Sequence, residues 1–145
     1  SPVPHRIEYV GKLNKIRCYN DSKATNIAST EVAISSFTQP TWLILGGKDK
    51  GGDFTSLLPL LEKNTRAILL VGAASEIIEA QISGAIPIQR VETIAAAIEY
   101  VYSHGEAGDV LLLSPACASF DQFENFEVRG DHFRSIVQEH KGWSQ

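Results

Sequence analysis

Short, largely apolar segments alternate with amphipathic segments along the chain, and this alternation limits the possible folds more than any other feature. The clearest apolar segments are 41–45, 66–71 and 109–113. Segments of this length that lack polar alternation favour strands buried on both faces, as in a parallel sheet covered by helices. The sequence therefore predicts an α/β domain, Rossmann-like, with three layers and a mostly parallel sheet of about six strands.

The other periodic segments predict the order of the remaining elements. A β-hairpin is expected at the start, with strands at 6–10 and 15–19 and a turn at 11–14. A further short strand is predicted at 86–89, and helices at 26–37, 54–63, 75–83, 93–104 and 127–140. Pro59 falls inside the second helix, where its missing N–H and its ring predict an irregularity.

Composition excludes several classes of protein. The 145 residues suit one domain, and the net charge of −4 lacks the basic patch typical of nucleic-acid binders. No apolar run is long enough to span a membrane, and no secretory signal opens the chain. Two distant cysteines favour a reduced, cytoplasmic setting. Met is absent everywhere, including residue 1, so we expect a piece of a longer protein.

A glycine-rich loop at 46–53 follows a predicted strand and precedes a predicted helix. Its glycines permit a sharp turn and a close approach to a ligand. Lys48 and Lys50 favour an anion, helped by the following helix N-terminus. The loop matches neither the Walker A motif nor the dinucleotide fingerprint. The alternative is a glycine turn with two solvated lysines.

A polar loop at 20–26 lies between the second strand and the first helix. Lys23 is suited to a carboxylate or a phosphate, Thr25 to a hydroxyl hydrogen bond, and Asp21 to ribose hydroxyls. The alternative is simple helix capping by Ser22, Thr25 or Asn26.

A long loop at 114–126 follows the last predicted strand, where open α/β sheets bind ligands. Ser119 offers a hydroxyl, and Phe120 and Phe126 are candidates for the wall of a pocket. Phe123 is expected to fill the gap between this loop and the sheet. Cys117 has no nucleophile motif around it, so we expect a buried small residue.

Four motifs together resemble the C-terminal domain of the Mur ligases, and within that family the members that add D-glutamate. They lie at residues 4–6, 20–26, 45–54 and 114–133, and their order and spacing make the resemblance specific. One departure is Lys48-Asp49, where some members have an acidic residue followed by glycine.

The resemblance implies a cytoplasmic enzyme of peptidoglycan and cell-wall synthesis. Such ligases join D-glutamate to UDP-N-acetylmuramoyl-L-alanine, with ATP and Mg²⁺, through an acyl phosphate. It also implies that the central ATPase domain and the N-terminal UDP-binding domain lie outside residues 1–145. We therefore expect the isolated chain to be inactive, and no catalytic or metal-binding residue is assigned to it.

Site residues follow from the same resemblance, motif by motif. Those implied to bind D-glutamate are Lys23, Thr25, Lys50, Ser119, Phe120 and Phe126. Asp21 is implied to contact the ATP ribose, and Arg6 to lie near the adenine. Two other interpretations remain open: a stand-alone, non-catalytic module for an acidic amino acid or nucleotide, and a sister ligase with another acceptor.

Overall fold

A seven-stranded sheet forms the centre of the computed structural model, which describes residues 3–145. Its strands are β1 (Glu8–Leu13), β2 (Ile16–Asn20), β3 (Thr41–Gly46), β4 (Thr65–Val71), β5 (Ile88–Glu92), β6 (Val110–Leu113) and β7 (Trp143–Ser144). The order across the sheet is β5-β4-β3-β6-β2-β1-β7. The strands from β5 to β2 are parallel, whereas β1 runs antiparallel to both β2 and β7.

Five helices cover the two faces of this sheet: α1 (Ile27–Ser35), α2 (Leu58–Asn64), α3 (Ser75–Ile82), α4 (Ile94–His104) and α5 (Phe126–Glu139). Side chains of β3 alternate between the faces, as strand geometry requires. Leu43 and Leu45 pack with α1, α2 and α3. Trp42 and Ile44 pack with α4 and α5 on the other face. The predicted three-layer α/β fold is therefore confirmed, with β7 as an additional short strand.

The hairpin turn predicted at 11–14 is wrong, because β1 continues to Leu13. The chain turns at Asn14 and Lys15, whose φ angles of 48° and 66° are those of a tight two-residue hairpin. Gly11 instead forms a bulge in β1, with φ 110°. A Cβ there would lie 2.0 Å from Nε1 of Trp143, so the glycine permits the close approach of β7.

Other elements lie near their predicted positions. The segment predicted as one helix at 54–63 divides into a 3-10 turn (Phe54–Leu57) and α2. This division is the irregularity predicted from Pro59, which lies in the first turn of α2, where its missing N–H leaves no helical hydrogen bond unmade. The strand predicted at 86–89 is corrected to Ile88–Glu92, which pairs with β4.

The polar loops at 20–26, 46–53 and 114–126 follow β2, β3 and β6. They therefore all lie at the C-terminal ends of the parallel strands. After β3 the chain moves to β4 on one side, whereas after β6 it continues through α5 to β7 on the other side. Loops on opposite sides of such a switch point leave a crevice where open α/β sheets bind ligands. Within residues 3–145, no helix combines the length and the hydropathy needed to cross a bilayer.

Candidate functional site

The loop after β3 is hydrogen-bonded to the loop after β6. The N–H of Lys48 donates to the carbonyl of Ala118 at 2.8 Å, and the N–H of Ala118 donates back at 3.2 Å. The N–H of Gly46 donates to the carbonyl of Pro115 at 3.0 Å. Gly47 has φ 138°, and a Cβ there would lie 2.4 Å from the Ala118 oxygen. These contacts hold the two candidate ligand loops in a fixed relation.

A cavity of about 140 Å³ lies between the start of α1 and the glycine-rich loop. It brings together Thr25 and Lys50, two residues implied to bind D-glutamate. Its apolar wall includes Ile27, Phe54 and Ala116. A hydroxyl and an ammonium group above an apolar wall form a site suited to a small, negatively charged molecule.

A second cavity of about 140 Å³ lies on the other side of the 21–25 loop. Arg6, Asp21 and Lys23 line it, together with Ser29 and Val32 of α1. The structure therefore places Lys23 with the two residues implied to bind ATP, and not in the cavity of Thr25 and Lys50.

Asp21 is buried, with 4% of its surface exposed, and both carboxylate oxygens are hydrogen-bonded. Oδ1 accepts the N–H of Ile7 at 3.1 Å, and Oδ2 accepts the hydroxyl of Ser114 at 2.7 Å. Burial raises the pKa of Asp21 above its usual range, although Ser114, the Ile7 N–H and the charge of Arg6 oppose that shift. The side chain thus links the 3–7 segment, the loop after β2 and the end of β6.

A raised pKa for Asp21 predicts a pH-dependent stability. The carboxyl is harder to ionise in the folded chain than in the unfolded chain. Stability present in acid is therefore lost as pH rises through the ordinary carboxyl range to the raised pKa. Asp21→Asn removes this loss and keeps an acceptor for Ile7, so we expect a higher melting temperature than wild type at neutral pH. The advantage should disappear in acid. Thermal melts across pH test this, and an equal loss of stability at every pH contradicts it.

Ser119 and the two candidate phenylalanines differ in environment. Ser119 is 2% exposed, and its hydroxyl has no hydrogen-bond partner among the described residues. Phe120 is 65% exposed, so its ring is free for a contact beyond the chain. Phe126 begins α5, and its ring meets the His5 ring edge-on at 6.1 Å. Phe123 packs against the core, as predicted.

Arg129 is a central residue to which the sequence analysis gave no role. Its guanidinium donates to the hydroxyl and the carbonyl of Ser22, both at 2.8 Å, and to the carbonyl of Cys117 at 3.0 Å. Arg129 thereby ties α5 to the loops after β2 and β6. The sequence did contain a signal for the burial of Arg129. It lies four residues before Phe133 and eight before Val137, and that spacing places all three on one helix face.

Both cysteines are buried and free. Burial raises the pKa of each thiol to about 12, and the charge of Asp49 adds to the effect at Cys117. Neither thiol is a nucleophile at neutral pH, which agrees with the prediction that Cys117 is a buried small residue. Across residues 3–145, no three His, Cys, Asp or Glu side chains are grouped so that they could hold a metal ion.

Comparison with known proteins assigns the chain to a family. Residues 5–117 match the family described as "Mur ligase, glutamate ligase domain". A UDP-N-acetylmuramoylalanine–D-glutamate ligase from Solibacter usitatus (strain Ellin6076) is 48% identical over 135 residues. A ligase of the same name from Bacillus thuringiensis (strain Al Hakam) is 49% identical over 137 residues. Each alignment covers 93% of this chain but only 30% of the relative, so the chain spans about a third of their length.

Solved structures with a similar fold have low sequence identity. A murein peptide ligase from Psychrobacter arcticus 273-4 superposes with a TM-score of 0.64 at 13% identity, covering 97% of this chain and 31% of that one. A domain assigned to a UDP-N-acetylmuramate:L-alanyl-gamma-D-glutamyl-diaminopimelate ligase from Haemophilus ducreyi 35000HP gives 0.57 at 13% identity, covering 90% and 99%. With the family match and the two relatives above, the chain belongs to the Mur ligase family, as its glutamate ligase domain.

Proposed function

We propose that residues 1–145 are the C-terminal, D-glutamate-binding domain of an ATP-dependent ligase that adds D-glutamate to UDP-N-acetylmuramoyl-L-alanine. The names of the relatives at 48–49% identity support this assignment. The observation that carries it is the cavity at the carboxyl edge, where Thr25 and Lys50 lie together on an apolar wall.

D-Glutamate has two carboxylates, and the proposed site offers them donors of suitable chemistry. Lys50 supplies a mobile ammonium group, and the Thr25 hydroxyl donates from the start of α1. Ser119 does not line this cavity, but it lies in the loop bonded to the Lys50 loop, and its buried hydroxyl has no partner among the described residues, so we assign it a further hydrogen bond to the ligand. Phe120 and Phe126 complete the loop contacts, and Lys23 adds positive charge from the neighbouring cavity.

ATP is proposed to occupy the cavity of Arg6 and Asp21. The buried Asp21 carboxylate keeps free lone pairs, so it fits as an acceptor for ribose hydroxyls. Arg6 is exposed beside it and supplies a cation near the base. Because the 21–25 loop separates this cavity from that of Lys50, one loop contacts both ligands.

In the proposed reaction, the residues of this chain bind and orient the amino acid, while phosphoryl transfer takes place on the rest of the parent protein. ATP supplies the phosphoryl group that activates the carboxylate of UDP-N-acetylmuramoyl-L-alanine. Mg²⁺ is assigned to the other domains, as the family resemblance implies. The free cysteines agree with the proposed cytoplasmic setting.

Comparing the isolated chain with its full-length parent tests this proposal. We expect the parent to release phosphate only when UDP-N-acetylmuramoyl-L-alanine, ATP, Mg²⁺ and D-glutamate are all present. We expect the 145-residue chain to show no turnover, because it supplies only part of the site. A colorimetric phosphate assay with each substrate omitted in turn measures both results.

Two results contradict the proposal. Turnover by the isolated chain would show that no other domain is needed. A parent that is inactive with D-glutamate but active with another amino acid would assign a different acceptor to the same cavity.

A further inference from the structure

Asp49 lies in the glycine-rich loop between two lysines, and it lines the same cavity as Thr25 and Lys50. Its Oδ1 accepts the N–H of Gly52 at 3.2 Å, which forms a tight turn at the tip of the loop. In residues 3–145 this is the one hydrogen bond shown for the side chain. Oδ2 therefore remains available to a ligand.

An amino acid differs from a simple dicarboxylate by its ammonium group. Lys50 and Thr25 suit the carboxylates, but neither accepts a hydrogen bond from an ammonium group as an anion does. A carboxylate is the side chain that forms short, charge-assisted bonds with such a group. Asp49 is the acidic side chain among the residues that line this cavity.

Asp49 and Lys50 bring opposite charges to the same region of the structure. Both charges act on the thiol of Cys117, which lies buried in the adjoining 114–119 loop. Asp49 raises the pKa of that thiol, and Lys50 lowers it. Since Asp49 and Lys50 also line one cavity, that cavity offers both a negative and a positive side chain, which suits a zwitterionic ligand better than a pure anion.

We propose that Asp49 is a specificity-determining residue that receives the ammonium group of the incoming amino acid. It would distinguish an amino acid from a dicarboxylate of the same length. The inference rests on the proposed function, because it deepens the D-glutamate site.

A role limited to the loop turn is the alternative, and Asp49→Asn separates the two. Asparagine keeps an oxygen that accepts the Gly52 N–H, so the turn is preserved, but it carries no charge for the ammonium group. D-Glutamate and glutarate form the matched ligand pair, since glutarate has both carboxylates and lacks the amine.

Kinetics of the full-length parent provide the first measurement. For Asp49→Asn we expect the KM for D-glutamate to rise about tenfold, with kcat nearly unchanged. The inhibition constant of glutarate should stay constant or fall, because the substitution removes a negative charge that repels it. Loss of preference for D-glutamate over glutarate is the signature that a purely structural role would not produce.

Asp53→Asn is the matched control, because it removes the same charge a few residues away. Asp53 caps the 3-10 turn by accepting the N–H and the hydroxyl of Thr55, and asparagine keeps that acceptor. We expect this variant to keep the wild-type preference for D-glutamate. An Asp49→Asn enzyme with that same preference overturns the inference.

Titration of the isolated 145-residue chain with these two ligands measures binding without relying on the activity of the parent. The chain has its own two-sided core, and a related domain has been solved as a separate chain. NMR shifts of the 46–53 loop are followed with D-glutamate and with glutarate, in wild type and in Asp49→Asn. Wild type that fails to prefer D-glutamate overturns the inference, whereas a parent without D-glutamate-dependent phosphate release contradicts only the proposed function.

Discussion

Replacing Lys50 with alanine in the full-length parent should raise the KM for D-glutamate about 100-fold, with a smaller change in kcat. Lys50 supplies the one ammonium group of the cavity that it shares with Thr25. In the proposed site, its contacts with a carboxylate of D-glutamate would be charge-assisted and would form when the amino acid binds. Their loss is therefore expected in KM more than in kcat. Initial rates of phosphate release at varied D-glutamate concentration measure the effect.

Lys63→Ala is the control for a general loss of positive charge. Lys63 is exposed at the end of α2 and lines a cavity beside the starts of β3 and β4, at the opposite edge of the sheet. We expect its kinetics to match wild type. If Lys50→Ala also shows wild-type kinetics for D-glutamate, Lys50 does not bind the amino acid.

Replacing Arg129 with methionine should reduce the free energy of unfolding by about 3 kcal/mol. Arg129 is 2% exposed, and its guanidinium donates to three uncharged oxygens of Ser22 and Cys117. Burial lowers its pKa to about 10, so it remains charged at neutral pH. Methionine fills similar space but leaves two buried carbonyls without these donors. Urea unfolding followed by tryptophan fluorescence gives the value.

Arg134→Met, on the same helix, is the matched control for that measurement. Arg134 is partly exposed and pairs with Glu8 and Asp131 near the surface. Such pairs contribute little, so we expect a loss of under about 1 kcal/mol. Equal losses of unfolding free energy for the two variants would show that the buried hydrogen bonds of Arg129 stabilise the fold no more than the surface pairs of Arg134.

Strand and helix types could be predicted because burial determines the pattern of apolar residues. Segments 41–45, 66–71 and 109–113 are buried on both faces, apart from the exposed Arg66, and became β3, β4 and β6. The hairpin turn was less predictable. Glycine is common in turns, yet Gly11 lies within a strand, where it leaves room for Trp143 of β7. This contact joins residues far apart in the sequence, so the local pattern could not predict it.

Site residues could be recognised by type, but their grouping needed the fold. Thr25 and Lys50 are separated by 24 intervening residues and share one cavity, whereas Lys23 faces the other side of its own loop. Arginine is usually a surface residue, so the residue type of Arg129 does not predict burial. Its spacing to Phe133 and Val137 indicated a buried face, but its bonding partners became clear only from the packing of α5 against the loops after β2 and β6.

A crystal structure of the full-length parent with D-glutamate tests the central claim most directly. The account predicts D-glutamate between the loops after β2, β3 and β6, with a carboxylate within hydrogen-bond distance of Lys50 Nζ and a second contact to the Thr25 hydroxyl. D-Glutamate bound elsewhere, with Thr25 and Lys50 both free of contact, would contradict the assignment of this cavity as the amino-acid site.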